Sequence, residues 1–302
     1  MIVVIGSINM DLVLRVPRMP LPGETLTGGA FRTIPGGKGA NQAVACARLS
    51  GKVAGAQQVA MIGCVGDDAF GATLRAALVG DGIIDSHITT LPGVASGIAS
   101  ILVDDNGQNS IVIAGGANDL LSPAHIDAAQ GLIEQADIVV LQLETPMATV
   151  VHAIKLARSL GKTVVLNPAP AASLPDGVLE LVDYLIPNEI EAAMLAGVSP
   201  EGADAKALAA ALQKLGSDNV IITLGSKGVH AALYGGEYTF PAEVVKAVDT
   251  TAAGDTFIGG FVAGLASGMD EAEAIQQGQR AAAWSVTKPG AQTSIPHLHE
   301  LF

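Results

Sequence analysis

Asp255 closes the segment DTTAAGD, residues 249–255, behind three small residues. Ala252, Ala253 and Gly254 let a backbone approach a ligand closely. Ile258, Phe261, Val262 and Leu265 then recur at helical spacing up to Gly268, which predicts a helix starting directly after the small residues. The first N–H groups of a helix have no partner within it, and with the helix dipole they attract anions. A carboxylate beside such an anion hole is suited to take a proton from a hydroxyl while the amides stabilise charge on a phosphoryl group. Asp255 could instead do no more than cap the helix, a common place for Asp. Three small residues in a row are more than a plain cap requires.

A second candidate is PGGKGAN, Pro35 to Asn41, which runs into another helical pattern. It is no Walker loop, because Gly39 and not Ser or Thr follows Lys38. Gly36, Gly37 and Gly39 would expose amides, while Lys38 and Asn41 would project polar tips toward a polyhydroxylated ligand or toward sugar and phosphate together. The plainer alternative is a flexible helix entry. Asn9 and Asp11 follow the first apolar run and offer an amide and a carboxylate to hydroxyl groups at the edge where open α/β sheets bind ligands. A dinucleotide fold would show G-x-G-x-x-G here; Gly6-Ser7-Ile8-Asn9 does not, which argues against a nicotinamide enzyme.

Three weaker candidates complete the set. Glu144 follows the run Ile138–Leu143 and could be a ligand or an exposed loop acid. Asn188 and Glu191 lie one helical turn apart, so they could hold a hydrated Mg²⁺ near phosphates, form a capping box, or do both. Thr223-Leu224-Gly225-Ser226-Lys227-Gly228 puts small residues and a Lys at a strand end, a weak sign of nucleotide phosphates.

These residues need a scaffold. Apolar runs at Ile2–Ile5, Val59–Ile62, Ile138–Leu143, Thr163–Asn167, Tyr184–Pro187 and Val220–Leu224 read as buried parallel strands. Between them, Ala40, Ala43, Val44 and Ala47 before Gly51, and Ala205, Leu208, Ala209 and Leu212 before Gly216, read as helices. The alternation predicts an α/β fold: a doubly wound, mostly parallel sheet with helices on both faces, in one domain without an interdomain linker. Two β-like insertions interrupt it. Residues 11–33 are rich in Pro and Gly, and residues 96–114 read as a hairpin around Asp104-Asp105-Asn106-Gly107. They could form a small sheet acting as a lid, or be two decorated loops.

The 302 residues are enough to bury a large core without a disulfide or metal staple. With 49% hydrophobic and 15% charged residues the chain is not disordered. Its formal charge of −13 disfavours nucleic acid and acidic membranes as partners, while leaving room for one basic pocket. Cys46 and Cys64 show no metal spacing and are expected as buried thiols in a reducing compartment. The N-terminus lacks a basic, apolar leader and no apolar run is long enough to span a membrane, so a cytoplasmic chain is expected.

Several motifs occur together in one order, and on them the chain resembles the ribokinase-type carbohydrate kinases of the PfkB family. They are Gly36–Asn41, Asp249–Asp255, LQLETP at 141–146, NPAPA at 167–171, PNEIEA at 187–192, TLGSKG at 223–228 and KPGAQTSIP at 288–296. The similarity runs from Val4 to about Pro296. It implies a ribokinase-like fold with a β-sheet lid made of about 11–33 and 96–114, which pairs into a homodimer. It implies ATP as donor and a pentose as acceptor, D-ribose first, phosphorylated at its 5-hydroxyl. Asn9, Asp11, Gly37, Lys38, Gly39, Asn41 and Glu144 would hold the sugar. Asn188 and Thr223, Gly225, Ser226, Lys227 and Gly228 would serve ATP, with Glu191 holding Mg²⁺ through water. Ala252, Ala253 and Gly254 would form the anion hole, with Asp255 as base. K⁺ would lie beside it on Asp249, Thr251, Ser285, Lys288, Gly290 and Ser294, several through backbone carbonyls. Two positions depart from the family. Met10 is bulkier than expected between Asn9 and Asp11 and would narrow the sugar pocket or shift preference to another pentose. Gln279 stands where an Asn or His near the adenine is usual.

Overall fold

The computed structural model describes residues 1–51 and 57–302. Its strands are β1 (Ile2–Ile5), β2 (Asn9–Arg15), β3 (Phe31–Gly36), β4 (Val59–Gly66), β5 (Ile84–Leu91), β6 (Gly97–Val103), β7 (Asn109–Ala114), β8 (Ile138–Leu141), β9 (Thr163–Leu166), β10 (Tyr184–Leu185), β11 (Asn219–Thr223), β12 (Val229–Leu233) and β13 (Gly236–Phe240). Its helices are α1 (Lys38–Leu49), α2 (Ala69–Gly80), α3 (Pro123–Ala128), α4 (Gln130–Ile133), α5 (Met147–Ser159), α6 (Glu189–Leu195), α7 (Ala205–Lys214), α8 (Ala253–Ala266) and α9 (Glu271–Ser285).

Nine strands form the main sheet in the order β13-β12-β11-β10-β9-β8-β1-β4-β5. All pairings from β5 across to β11 are parallel, and β12 and β13 close one edge as an antiparallel hairpin. The apolar runs are continuous because both faces are covered. On β1, Ile2 and Val4 enter the core with α1, α8 and α9, while Val3 and Ile5 enter the core with α3, α5 and α7. Gly51, Gly216 and Gly268 all take positive φ after helices α1, α7 and α8, the left-handed exit that glycine tolerates.

The run at Val59 continues to Gly66, whereas those at 138, 163 and 184 stop early, at Leu141, Leu166 and Leu185. Polar residues follow, Gln142 and Asn167 directly and Asn188 after Ile186 and Pro187, with Asn188 still bridged to Thr223. Strands β5, β12 and β13 carry no uninterrupted apolar run. The strands β5 and β13 are the sheet edges and meet solvent, whereas β12 lies between β13 and β11, is buried throughout, and has its run interrupted by His230.

The two insertions build a separate four-stranded sheet, ordered β3-β2-β6-β7. Its first segment starts at Asn9, two residues before the expected bound, and returns to Gly36, so the sheet grows directly out of the sugar-type motifs. In the second, Asp104 Oδ1 accepts the N–H groups of Asn106 and Gln108, both at 2.9 Å, and Gly107 at φ 80° completes the turn. Met10 does not narrow a pocket. It alternates with Asn9 and Asp11 along β2, and its side chain is buried in the apolar core.

Candidate active site

The strand order reverses at β1: the chain moves to β4 and β5 on one side and to β8 through β11 on the other. Ligands in open α/β sheets bind at the carboxyl ends of strands beside such a reversal. Ser7, Glu144, Asn167, Asn188 and Thr223 all lie at or just beyond the ends of β1, β8, β9, β10 and β11.

Helices α1 and α8 bring the reactive groups together. A Cβ on Gly259 would lie 2.2 Å from that of Ala45, so glycine allows α8 to press against α1. Asp255 precedes Gly259 by one turn, and Asn41 precedes Ala45 by one turn, so this contact sets their separation. Asn41 Nδ2 donates to Asp255 Oδ2 at 3.0 Å, and Gln42 Nε2 donates to Oδ1 at 2.9 Å. Asp255 is not a cap. The N-cap is Ala252, and Asp255 occupies the first turn with 8% of its surface exposed.

Ala252 is the only non-glycine residue with positive φ among the described residues, at φ 58° and ψ 13°. That conformation costs about 1–2 kcal/mol for an L-residue, a strain that clusters at functional sites. It lets the chain turn sharply into α8. Gly254 and Asp255 then present first-turn amides, whereas the Ala253 N–H donates to the Thr250 carbonyl at 3.2 Å. A Cβ on Gly254 would meet no atom within 4 Å, so the space beside it is open.

That space is a cavity of about 210 Å³. Ala252, Ala253, Gly254 and Asp255 line it, with Lys38, Asn167, Asn188, Glu191 and Thr223. A larger cleft of about 460 Å³ lies between the segment Ala171–Gly177 and Met194, Leu195 and Leu215. Its one titratable lining group is Asp176 and it holds none of the expected residues, so the smaller cavity is where chemistry is possible.

Of the expected sugar residues Asn9, Asp11, Gly37, Lys38, Gly39, Asn41 and Glu144, only Lys38 lines this cavity; Asn41 reaches it through Asp255 and Glu144 through the Lys38 amide. Gly37 takes φ 91°, and a Cβ there would sit 2.7 Å from the Asn9 amide, so glycine brings the start of α1 against β2. Ser7 Oγ donates to Glu144 Oε2 at 2.6 Å, and the Lys38 amide donates to the same oxygen at 3.1 Å. Asn118 Nδ2 donates to Asn9 Oδ1 at 2.7 Å. Burial, then the charges of Glu144 and Asp255, push the Asp11 carboxyl up to about 7. Burial works to lower the Lys38 pKa, but Asp255, Glu144 and Glu191 together hold it above its usual value. Burial also raises Glu191, against the Asn188 amide and Lys38, with Asp255 adding to the rise.

Asn188 and Glu191 make the capping box, each side chain accepting the other's backbone N–H at 2.8 Å, and both still line the cavity. Of the 223–228 turn, only Thr223 lines it. Gly225, Ser226 and Lys227 face solvent, with Lys227 paired to Glu189 at 3.0 Å, and Gly228 is buried. Gln279 lies outside the cavity and donates to the carbonyls of Phe240 and Pro241, both at 3.3 Å.

The expected K⁺ residues form a loop pair behind Ala252. Asp249 accepts from the Thr251 amide at 2.9 Å, the Thr251 hydroxyl at 2.6 Å and the Gly290 amide at 2.9 Å. Its carboxyl sits below the ordinary range because these bonds, with Arg15 nearby, outweigh burial. Ser285 and Ser294 turn their hydroxyls to their own helical-turn carbonyls, and Lys288 Nζ lies 4.6 Å from the Trp284 ring centroid.

Sequence reasoning passes over Ser7, Gln42, Asn118, Gln142 and Asn167. Gln42 had a signal, a polar residue among Ala40, Ala43 and Val44 on a buried helix. Asn167 heads a quoted motif without a role. Asn118 is placed only by the fold.

Comparison with known proteins matches this geometry. A family model described as pfkB family carbohydrate kinase covers residues 1–298. A curated ribokinase of Haemophilus influenzae is 46% identical over 298 residues, 98% of this chain and 95% of its own. A deoxyribokinase of Salmonella typhi is 40% identical, covering 99% of this chain and 96% of its own. The structure of Arabidopsis thaliana ribokinase complexed with ribose and ATP superposes with a TM-score of 0.89 at 31% identity, covering 99% of this chain and 96% of that one. With an aspartate held by two amides at the mouth of a strained, glycine-lined helix start, and a family match over nearly its whole length, the chain belongs to the pfkB family of carbohydrate kinases.

Proposed function

We propose that this protein is an ATP-dependent sugar kinase that phosphorylates the primary hydroxyl of a pentose, D-ribose first, to give D-ribose 5-phosphate. The observation that carries the reading is the Asp255 carboxylate, fixed by Asn41 and Gln42 in the wall of a cavity that Gly254 leaves open. Asn9, Asp11, Gly37, Lys38, Gly39, Asn41 and Glu144 bind the sugar. Asn41 Oδ1 is buried without a partner among the described residues, and a sugar hydroxyl would satisfy it.

Asp255 takes the hydroxyl proton as the oxygen attacks the γ-phosphorus in line and the bond to the ADP oxygen breaks. The amides of Ala252, Gly254 and Asp255 and the Lys38 ammonium stabilise the charge that develops on the transferring group, the Ala253 N–H being taken by the Thr250 carbonyl. Asn188, Thr223 and the Gly225–Gly228 turn carry the nucleotide, with Gln279 on its base side. Glu191 fits a hydrated Mg²⁺, since a half-buried acid beside the nucleotide cavity calls for a cation; when bound, that ion neutralises phosphate charge. K⁺ fits the Asp249 loop and the 285–294 turn, where Gly290 ties the two segments together and the hydroxyls of Ser285 and Ser294 leave backbone carbonyls as donors. Asp249, Thr251, Ser285, Lys288, Gly290 and Ser294 would hold it.

The small sheet is read as a lid on one α/β domain, closing over the sugar to exclude water and suppress ATP hydrolysis. Its outer strand β7 is exposed along its whole length and carries Ile111, Val112 and Ile113, a surface suited to pairing with a second copy. Two buried, unpaired thiols fit a reducing cytoplasm.

An ATP-coupled assay over ribose, deoxyribose, hexoses and nucleosides tests the reading. Deoxyribose is the second candidate, favoured by the deoxyribokinase relative. Asp255→Asn is expected to lower turnover by about 10²–10⁴-fold with ATP still bound, because a positioned base contributes that much. Turnover like that of the wild type removes Asp255 from the role, and no turnover of any acceptor by the wild type overturns the reading.

A further inference from the structure

We infer that Gln42 and Gln142 form a two-amide relay that aims the Asp255 carboxylate, making Gln42 a positioning residue for proton transfer. The inference rests on the kinase reading above. Gln142 Nε2 donates to Gln42 Oε1 at 2.6 Å. An amide oxygen so occupied forces the other end of Gln42 to be the donor. That NH₂ group gives one hydrogen to Asp255 Oδ1 at 2.9 Å and the other to Asn167 Oδ1 at 3.2 Å. Asn167 is oriented in turn, because its Nδ2 donates to the Ile186 carbonyl at 2.8 Å. Gln142 Oε1 has no partner among the described residues, so Gln142 is held by its bond to Gln42 alone, while Gln42 and Asn167 are each fixed at both ends and the chain ends on the carboxylate oxygen of the base.

Burial gives the relay its force. Gln42 and Gln142 are 0% and 1% exposed, so a lost partner is not replaced by water. The terminal torsion of an Asp is otherwise broad. Asn41 holds one oxygen while its own Oδ1 has no partner among the described residues, whereas both polar ends of Gln42 are taken up inside the protein. A neutral amide fixes the direction of the carboxylate's lone pairs without placing a counter-charge against them.

The test is a double-mutant cycle on the full-length enzyme, with melting temperature measured on every variant. Gln42→Met keeps the length and removes all three side-chain hydrogen bonds of Gln42. It is expected to lower kcat roughly 10- to 100-fold, with KM for ribose and ATP within about twofold, since misplacing a reacting group by about 1 Å costs up to 10²-fold. In the Asp255→Asn background the same change is expected to cause no further loss, because residues acting as one unit are not additive. Gln142→Met leaves α1 intact and carries the same cycle if Gln42→Met does not fold. An additive loss, or a loss confined to KM, overturns the relay while leaving the kinase intact. A wild type inactive on every acceptor overturns the kinase reading and the relay with it.

Discussion

Replacing Asp11 by Asn separates the cost of the sugar site from its use. Asp11 lies on β2 with 8% of its surface exposed, and burial, Glu144 and Asp255 raise its carboxyl from 3.8 to about 7. Because the folded value lies above the unfolded one, the folded chain keeps a proton that the unfolded chain has released. The resulting stability is full below about pH 3.8 and is lost as pH rises through about 7. The complete loss is of the order of 4 kcal/mol, of which about 2.5 kcal/mol falls between about pH 5 and pH 8. Asn matches the shape of the carboxyl and does not titrate, so the variant should lack this slope and be the more stable protein at about pH 8. Urea unfolding of both proteins at the two pH values gives the comparison, with other groups cancelling in the difference. Titration with ribose supplies the second half. If the carboxylate accepts sugar hydroxyls, wild-type affinity should be about tenfold weaker at about pH 6 than at about pH 8, and the variant should bind weakly at both. Equal pH slopes in the two proteins would refute the reasoning.

Gly254→Ala places a methyl group where no atom lies within 4 Å, so the helix should gain up to about 1 kcal/mol while turnover falls, because the methyl occupies phosphate space. A higher melting temperature with unchanged kcat would show that the phosphoryl group sits elsewhere. Exchanging K⁺ for Na⁺ should reduce activity; indifference to the cation retires the site at Asp249 and Ser294. Val112→Asp, at a position 68% exposed on β7, should turn a dimer into a monomer by light scattering, and a variant that remains dimeric excludes β7 as the interface.

The parts of this protein legible in its sequence are those in which neighbours along the chain do the work. Ile2–Ile5 and Val220–Leu224 read as strands because burial on both faces leaves a continuous apolar run. The start of α8 reads as an anion site because small residues and a helix N-terminus are adjacent in the chain. The capping box of Asn188 and Glu191 spans one turn and needed no tertiary information. Edge strands β5 and β13 lacked such a run because solvent covers part of them, and in the buried β12 His230 breaks it. Asn41 and the polar Gln42 carried signals in the sequence, but that both hold the base was not legible there. Gln42 and Asp255 are 213 residues apart, and Gln42 and Gln142 are 100 apart. Their meeting depends on how closely α8 crosses α1 at Gly259 and on which strands neighbour β1. Likewise Met10, which looks from its neighbours like a pocket residue, is sent into the core by the pleat of β2. A hydrogen-bond partner or a facing side is a property of packing, and only the folded chain decides it.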